Sequence, residues 1–166
     1  IKQADKHISK CREAHIRMSE GLEVLQTNSQ AKKAFKLANL AMLNQQKRAP
    51  KKIRKASLEE GTLKFDSEFS ENASAKGIWR PFQIGFLLMC VSGAVNPEHL
   101  DHELVDLIWF PTGGGKTEAY LGLAAFTLLY NRLEYGEKAE SVQVLMRYTL
   151  RLLTAQQLQR ASTLIC

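Results

Sequence analysis

The chain has 166 residues, of which 45% are hydrophobic, and a formal net charge of +6. Its length and apolar content suffice for one ordinary globular domain. The three cysteines, Cys11, Cys90 and Cys166, lie far apart and form no CxxC pair. This spacing excludes a zinc module or a disulfide framework and favours the cytoplasm. No apolar run has the length of a membrane span, so we expect no membrane partner.

The positive charge is concentrated in the front of the chain. Residues 1–55 carry 14 Lys and Arg against 4 Asp and Glu, whereas the remaining residues carry 9 against 13. A basic front part favours an anionic partner, with nucleic acid as the first candidate. A solvated, lysine-rich helical surface explains the same asymmetry, so charge alone leaves both interpretations open.

Two helices are predicted in residues 1–43, which we interpret as a helical N-terminal extension. Apolar side chains recur in steps of four and three from Ala4 to Leu25, which is typical of one face of a helix. A cap-like Thr-Asn-Ser at 27–29 separates this helix from a second amphipathic stretch at 30–46. Two helices joined by a short turn predict an α-helical hairpin.

Residues 44–77 are predicted to form a basic and polar linker or surface insertion. Six basic residues lie within Lys47–Lys55, and Pro50 interrupts any helix there. The following residues are polar and have no clear period.

Residues 78–166 are predicted to be α/β. Pro81 and the apolar residues after it indicate a helix that ends at Gly93. Residues 104–110 and 141–149 have the pattern of buried strands, and each is followed by a helical pattern. Strand, helix, strand and helix with short connections predict a right-handed βαβ unit in a parallel sheet.

A glycine-rich stretch, FPTGGGKT at 110–117, lies between the first predicted strand and its helix. Glycines allow the backbone to curl so that several N–H groups point at one phosphate, and the helix N-terminus adds its positive dipole end. In this pattern Lys116 meets the β- and γ-phosphates and the Thr117 hydroxyl holds Mg²⁺. We therefore predict a P-loop site for ATP and Mg²⁺, although Phe110 stands where the general pattern begins with glycine. The predicted nucleotide-binding residues in this stretch are Pro111, Thr112, Gly113, Gly114, Gly115, Lys116, Thr117 and Glu118, with Lys116 and Thr117 also predicted to be catalytic.

Three motifs resemble superfamily 2 helicases. PTGGGKT resembles motif I, and WRPFQ at 79–83 resembles the arginine-aromatic-glutamine signature that precedes it. YTLRLLTAQ at 148–156 resembles motif Ia, although Tyr148 replaces the usual proline. The resemblance implies the first part of a RecA-like motor domain in which Gln83 reads the adenine edge, and Arg80 is also predicted to bind the nucleotide. It also implies a nucleic-acid contact, with DNA favoured over RNA, at the strand-to-helix junction that includes Thr149 and Gln156, where Arg151 adds positive charge.

A narrower resemblance covers most of residues 31–166. AFKLANLAM, WRPFQIGFLL, WFPTGGGKTEAYLGLAAF and MRYTLRLLTAQQLQRASTLI together resemble the large helicase component of DISARM-type bacterial anti-phage defence systems. The resemblance implies an ATP-dependent helicase or translocase that works with other defence subunits. Two alternatives are a P-loop NTPase of another class and a non-catalytic nucleic-acid-binding or scaffold module.

The chain has the features of a piece of a longer protein. It begins without methionine and stops inside an apolar helical pattern at Cys166. An acidic Walker B box and the second motor lobe do not occur before Cys166, and both are needed to hydrolyse ATP in this family. We therefore expect residues 1–166 alone to be inactive.

Overall fold

A computed structural model describes residues 2–49, 55–68, 70, 76–109, 111, 113–147 and 151–165. The chain divides into two compact units, each built from segments that are distant in the sequence. One unit contains Ile1–Leu40 and Ile78–Arg147, and the other contains Ala41–Gly77 and Tyr148–Cys166. Each unit is described by itself below.

The first unit is built from helices. Helix α1 (Lys2–Thr27) is followed by α2 (Ser29–Arg48), whose first part belongs to this unit. Asn28 separates the two helices, and its side-chain oxygen accepts a hydrogen bond from the Ala31 backbone N–H at 2.9 Å. This bond satisfies an amide of the first turn of α2, which has no partner inside the helix.

Two further helices complete the first unit. They are α3 (Pro81–Val95) and α4 (Lys116–Tyr135), with short 3₁₀ turns at Leu100–Glu103 and Gly136–Ala139. α3 packs against both α1 and α4. In the described part of the chain, none of the helices combines the length and hydropathy that crossing a bilayer requires.

Helix α1 packs along α3 rather than along α2. Gly21 is buried at the contact, where a Cβ atom would overlap the carbonyl oxygen of Leu88 on α3. The absence of a side chain at Gly21 therefore lets the two helix backbones approach closely. The stripe predicted from Ala4 to Leu25 is only partly buried. Leu25 is 8% exposed and Met18 lies beside Gly85 of α3, whereas Ile8 and Leu22 remain about half exposed.

The core of the first unit contains buried side chains of α2, α3 and α4, among them Leu87 and Val91 of α3. Ala31, Ala34 and Ala38 recur on one face of α2 and are buried. The Phe35 ring meets Phe126 of α4 edge to face, with ring centroids 6.5 Å apart. This geometry is favourable for aromatic pairs and fixes α2 against α4.

The second unit contains the end of α2, a β-hairpin and helix α5 (Arg151–Ile165). Strands β1 (Ala56–Glu59) and β2 (Thr62–Phe65) pair antiparallel, with Ala56 opposite Phe65 and Glu59 opposite Thr62. A two-residue turn joins them. The hairpin lies in the region for which the sequence predicts a linker without regular structure.

The predicted parallel sheet and RecA-like core are wrong for this structure. In the described residues the only sheet is the two-stranded antiparallel hairpin. Residues 104–109 and 142–147 have no regular structure, and their apolar side chains face solvent, with Val105 91% and Val142 86% exposed. A strand is stable only when a neighbouring strand accepts and donates its backbone hydrogen bonds, and in the part of the chain that the structure describes neither segment has such a neighbour. The described residues therefore contain no right-handed βαβ unit.

Candidate phosphate-binding site

The glycine loop, defined here as residues 111–115, connects the extended segment 104–109 to helix α4. Gly113 and Gly115 have φ values of 79° and 86°, a region in which residues with a side chain are strained. The Gly114 backbone N–H donates to the Pro111 carbonyl oxygen at 3.1 Å, which closes the loop into a tight turn. The three glycines therefore permit the backbone path that the sequence predicts for this stretch.

Helix α4 begins at Lys116 without a side-chain cap. Gly115 is the N-cap residue and has no side chain with which to accept from the first-turn amides. The N-terminus of this 20-residue helix carries the positive end of the helix dipole, and an anion is a natural ligand at such a position. Lys116 stands at the same end, and its Nζ lies 3.4 Å from the Pro111 carbonyl oxygen. These donors fit a phosphate group.

Two side chains from the start of α3 hold the loop. The Arg80 guanidinium donates to the Gly114 carbonyl oxygen and the Gln83 amide nitrogen donates to the Gly115 carbonyl oxygen, both at 2.8 Å. The Gln83 amide oxygen accepts from the Arg80 backbone N–H, also at 2.8 Å. Gln83 is only 4% exposed, so these contacts fix its side chain. The sequence predicted that Arg80 and Gln83 belong to one site with the loop, and the structure brings them together.

Further polar side chains lie in the first five residues of α4. The Tyr120 hydroxyl donates to the Thr117 hydroxyl oxygen at 3.0 Å. A Cβ atom built on Gly115 would lie 3.5 Å from a carboxylate oxygen of Glu118. Thr117 and Glu118 were predicted from the motif, whereas Tyr120 was not, because a tyrosine in an apolar helical pattern carries no signal of its own.

Trp79 anchors the arginine-aromatic-glutamine stretch to the helical core. Its indole N–H donates to the Asn39 side-chain oxygen of α2 at 2.6 Å. Its ring packs beside Gly122 of α4. Residues that lie 40 positions apart in the chain thereby fix where α3 begins, and so where Arg80 and Gln83 meet the glycine loop.

A cluster of charged and polar side chains lies at the contact between α1 and residues 101–106. The Arg17 cluster is defined here as Arg17, Cys90, Asp101 and Asp106. Arg17 Nε donates to Asp101 at 2.6 Å, and its two terminal nitrogens donate to the two Asp106 oxygens, each at 2.8 Å. The second terminal nitrogen also lies 3.4 Å from the Met89 carbonyl oxygen. This cluster joins α1 to the segment that leads into the loop.

The cluster shifts the pKa values of its members. The hydrogen bond with Asp106 raises the pKa of Arg17 above its usual value, although burial opposes this shift. The hydrogen bond from Arg17 lowers the pKa of Asp106, again against the effect of burial. Burial, and next the charge of Asp106, raise the pKa of the Cys90 thiol to about 12. The arginine and the carboxylate are therefore charged at neutral pH, and the thiol is protonated.

Sequence analysis missed the Arg17 cluster. Arg17 lies 84 positions before Asp101 and 89 before Asp106. None of the three residues is part of a recognised motif. A single arginine on a lysine-rich helix resembles its solvated neighbours. No signal in one sequence could have paired these residues.

Three of the predicted positions lie outside the described residues, namely Phe110, Thr112 and Thr149. Arg151 is the first residue of α5, in the second unit. Gln156 lies one turn further along α5 and is exposed. The predicted nucleic-acid contacts and the glycine loop thus belong to different compact units.

No protein-family model matches the chain, and no solved structure does. The chain is similar to the DISARM protein DrmA of Bacillus paralicheniformis, with 40% identity over 173 aligned positions. The alignment includes 99% of the chain but only 15% of that relative, so the chain spans a small part of the length of the protein that it matches. Identity at this level over nearly the whole chain supports a component of a DISARM-type defence system.

Proposed function

We propose that the chain is the ATP-binding part of a superfamily 2-type helicase or translocase that serves in bacterial anti-phage defence. The single observation that carries this proposal is the glycine loop. The loop leads into a helix that begins with Lys116 and has no side-chain cap. Arg80 and Gln83 donate hydrogen bonds to two carbonyl oxygens of the loop. Similarity to a DISARM protein supports the defence role.

The groups around the glycine loop have separate tasks in nucleotide binding. The first-turn amides of α4 and the Lys116 ammonium group would meet the negative charge of the phosphates. The Thr117 hydroxyl would hold Mg²⁺, which neutralises charge that develops on the phosphates during transfer. Arg80 and Gln83 keep the Gly114 and Gly115 carbonyl oxygens occupied, so that these oxygens do not repel the phosphates. The loop is thereby arranged before the nucleotide arrives.

The complete protein would couple ATP turnover to movement along nucleic acid, with DNA favoured over RNA. We propose that it acts in the cytoplasm together with other subunits of the defence system. Thr149, Arg151 and Gln156 are the proposed contacts to the nucleic acid in this part of the protein. Residues 1–166 alone would bind nucleotide weakly and would not turn it over.

The first prediction tests Lys116 in the complete protein. Replacing Lys116 with alanine removes the ammonium group from the phosphates, and the loss should exceed the roughly 1.5–3 kcal/mol of one charge-assisted hydrogen bond because the transition state is also affected. Phosphate release should therefore fall to background in Lys116→Ala, with and without added DNA. The circular dichroism spectrum should be unchanged.

Lys138→Ala is the matched control, because Lys138 is an exposed lysine in the 3₁₀ turn after α4. It should hydrolyse ATP at the wild-type rate. Turnover of Lys116→Ala within about a factor of two of wild type, less than the loss of one hydrogen bond would cause, would remove the glycine loop from the mechanism. Turnover that does not respond to DNA or RNA would instead favour a P-loop NTPase of another class.

A further inference from the structure

Tyr120 contacts the side chain that is proposed to hold Mg²⁺. Its hydroxyl donates to the Thr117 hydroxyl oxygen at 3.0 Å, in a partly buried position. The two residues are three positions apart in α4, so their side chains lie on the same face of the helix. The glycine-rich motif ends at Thr117 and does not include Tyr120. The motif therefore gives this tyrosine no task in nucleotide binding, although the structure places it against a motif residue.

A threonine in a helix has another use for its hydroxyl. It commonly donates back to the carbonyl oxygen three or four residues earlier. The residue three positions before Thr117 is Gly114, whose carbonyl oxygen accepts from the Arg80 guanidinium. In the part of the chain that the structure describes, Thr117 makes no such bond to the backbone, and its hydroxyl oxygen accepts from Tyr120 instead. The hydroxyl is thereby kept for a side-chain contact and a ligand.

The hydrogen bond from Tyr120 also selects the direction of the Thr117 hydroxyl. Threonine in a helix divides between two χ1 rotamers, and a hydrogen bond to the hydroxyl oxygen stabilises the rotamer in which it forms. A hydroxyl has one proton and two lone pairs, so the bond from Tyr120 leaves one lone pair and the proton for a ligand. Mg²⁺ takes oxygen ligands and requires nearly ideal octahedral geometry. An oxygen with a fixed direction and one lone pair left over fits this ion.

We propose that Tyr120 is a positioning residue for Mg²⁺ in the nucleotide site. Its phenol group holds the Thr117 hydroxyl in one rotamer before the metal and the nucleotide bind, and so lowers the cost of ordering this ligand on binding. When bound, Mg²⁺ neutralises negative charge on the phosphates. The inference rests on the proposed function, and it deepens it by naming a residue outside the motif that sets the affinity for the metal.

The test measures binding of the non-hydrolysable fluorescent nucleotide mant-AMPPNP to the complete protein as the concentration of Mg²⁺ is varied. Tyr120→Phe removes one oxygen and keeps the ring, so the circular dichroism spectrum should be unchanged. The Mg²⁺ concentration that gives half-maximal binding should rise about fivefold, which corresponds to roughly 1 kcal/mol, the net contribution of one hydrogen bond. Binding in EDTA, without Mg²⁺, should stay at the wild-type level. Loss of packing alone would not give a change that is confined to the metal.

A double-mutant cycle shows whether Tyr120 acts through Thr117. Thr117→Val removes the hydroxyl and keeps a β-branched side chain, and it should abolish most of the dependence of binding on Mg²⁺. Adding Tyr120→Phe to Thr117→Val should then cause no further change, because the hydroxyl that the phenol group positions is gone. The matched control is Tyr135→Phe, which removes the same oxygen from a half-exposed tyrosine at the other end of α4. It should leave the dependence on Mg²⁺ at the wild-type level.

The outcomes separate this inference from the proposed function. A dependence on Mg²⁺ that is lost in Thr117→Val and unchanged in Tyr120→Phe would overturn the inference and leave the proposed function intact. Equal losses of mant-AMPPNP binding with and without Mg²⁺ in Tyr120→Phe would also overturn it, because the tyrosine would then serve the nucleotide or the fold rather than the metal. Binding by the wild type that does not respond to Mg²⁺ would overturn both.

Discussion

The Arg17 cluster and the glycine loop lie in the same unit, but their hydrogen bonds are organised in opposite ways. Each of the three guanidinium nitrogens of Arg17 donates to an oxygen of the protein. In the loop, Arg80 and Gln83 donate hydrogen bonds to carbonyl oxygens. The N-cap residue of α4, Gly115, provides no side-chain cap. A set of donors that is satisfied internally holds a structure together, whereas a helix N-terminus that follows a glycine loop is suited to an incoming anion.

This comparison predicts that substitutions in the cluster mainly change stability and that substitutions in the loop mainly change nucleotide binding. The distinction has a physical basis. Removing one member of an internally paired set leaves the other members buried and unpaired. Removing a group that waits for a ligand leaves the protein without the ligand almost unchanged.

The largest expected loss of stability is for Arg17→Leu. The substitution leaves the carboxylates of Asp101 and Asp106 near one another without their cation. Breaking a buried pair in this way costs about 3–5 kcal/mol, and we expect the lower end because the side chain of Arg17 is 12% exposed and that of Asp106 25% exposed. Urea denaturation of the 166-residue chain, followed by circular dichroism, measures the change in free energy of unfolding.

Arg12→Leu is the matched control for this measurement. Arg12 lies on the exposed surface of the same helix, so its replacement should change the free energy of unfolding by no more than about 0.5 kcal/mol. Equal losses in Arg12→Leu and Arg17→Leu would mean that the cluster holds α1 no more strongly than a surface charge does.

The next largest effect is expected from a pair of alanine substitutions in the glycine loop. Gly113→Ala and Gly115→Ala both place a side chain at positive φ, which costs about 1–2 kcal/mol. At Gly113 the new Cβ would meet no atom within 4 Å, whereas at Gly115 it would lie 2.7 Å from Nε2 of Gln83. Gly115→Ala should therefore be the more destabilising by about 1 kcal/mol, the order expected for overpacking.

A double substitution tests whether Gln83 causes this difference. Gln83→Ala removes the side chain that the new Cβ would meet. The double variant should therefore lose less stability than the sum of the two single variants, by about 0.5–1 kcal/mol. The same cycle with Gly113→Ala should be additive, and an additive result at Gly115 would contradict the contact.

Nucleotide binding by Gln83→Ala tests a second role of this residue. A larger loss of affinity for ATP than for GTP, each relative to wild type, would support adenine recognition by Gln83. Equal losses for the two nucleotides would indicate that Gln83 acts by holding the loop.

The glycine turn and the helix after it could be predicted because each is encoded within a few consecutive residues, whereas the roles of these residues in nucleotide binding stay predictions. The three glycines, Lys116 and the helix after them follow one another directly in the chain. Gln83 and Arg80 were placed at the loop by a short motif, and the structure puts both side chains on its carbonyl oxygens. What the sequence did not contain was the partner of each strand-like segment.

Residues 104–109 show why the predicted parallel sheet is wrong. A mainly apolar run is typical of a buried parallel strand, but it does not say which other segment would pair with it. In the structure these residues have no regular structure and most of them are exposed. The hairpin of β1 and β2 was missed for the opposite reason, because its Glu60-Gly61 turn is not among the strongly preferred hairpin pairs and its strands have only four residues each.

Helix α1 gives a third lesson, since its helical character was predicted but only part of its buried face was. Leu25 of the predicted stripe is buried, whereas Ile8 and Leu22 of the same stripe are about half exposed. The contact with α3 also uses Gly21, because only a residue without a side chain allows the backbone of Leu88 to come so close. Apolar periodicity does not detect such a close approach of two backbones.

The smallest expected effect is the dependence of stability on acid pH through Asp106. Its pKa in the folded protein lies below the usual value of about 3.9, chiefly because Arg17 donates to it. A carboxyl group with a lowered pKa stabilises the folded state above its unfolded pKa, and this contribution disappears as the pH falls through the folded pKa. Urea denaturation of wild type and Asp106→Asn at several pH values between about 7 and 3 measures the contribution of the ionised group.

We expect the difference in free energy of unfolding between wild type and Asp106→Asn to be constant from about pH 7 to pH 5 and to shrink below about pH 4. Arg17 stays charged throughout this range because its pKa is raised, so protonation of the carboxylate side of the pair is what weakens it. Glu13→Gln, at an exposed position of α1, should show no comparable pH-dependent difference from wild type. A difference for Asp106→Asn that grows as the pH falls would mean that the ionised carboxylate destabilises the fold, and the Arg17 cluster would then not be what holds α1 to the segment before the glycine loop.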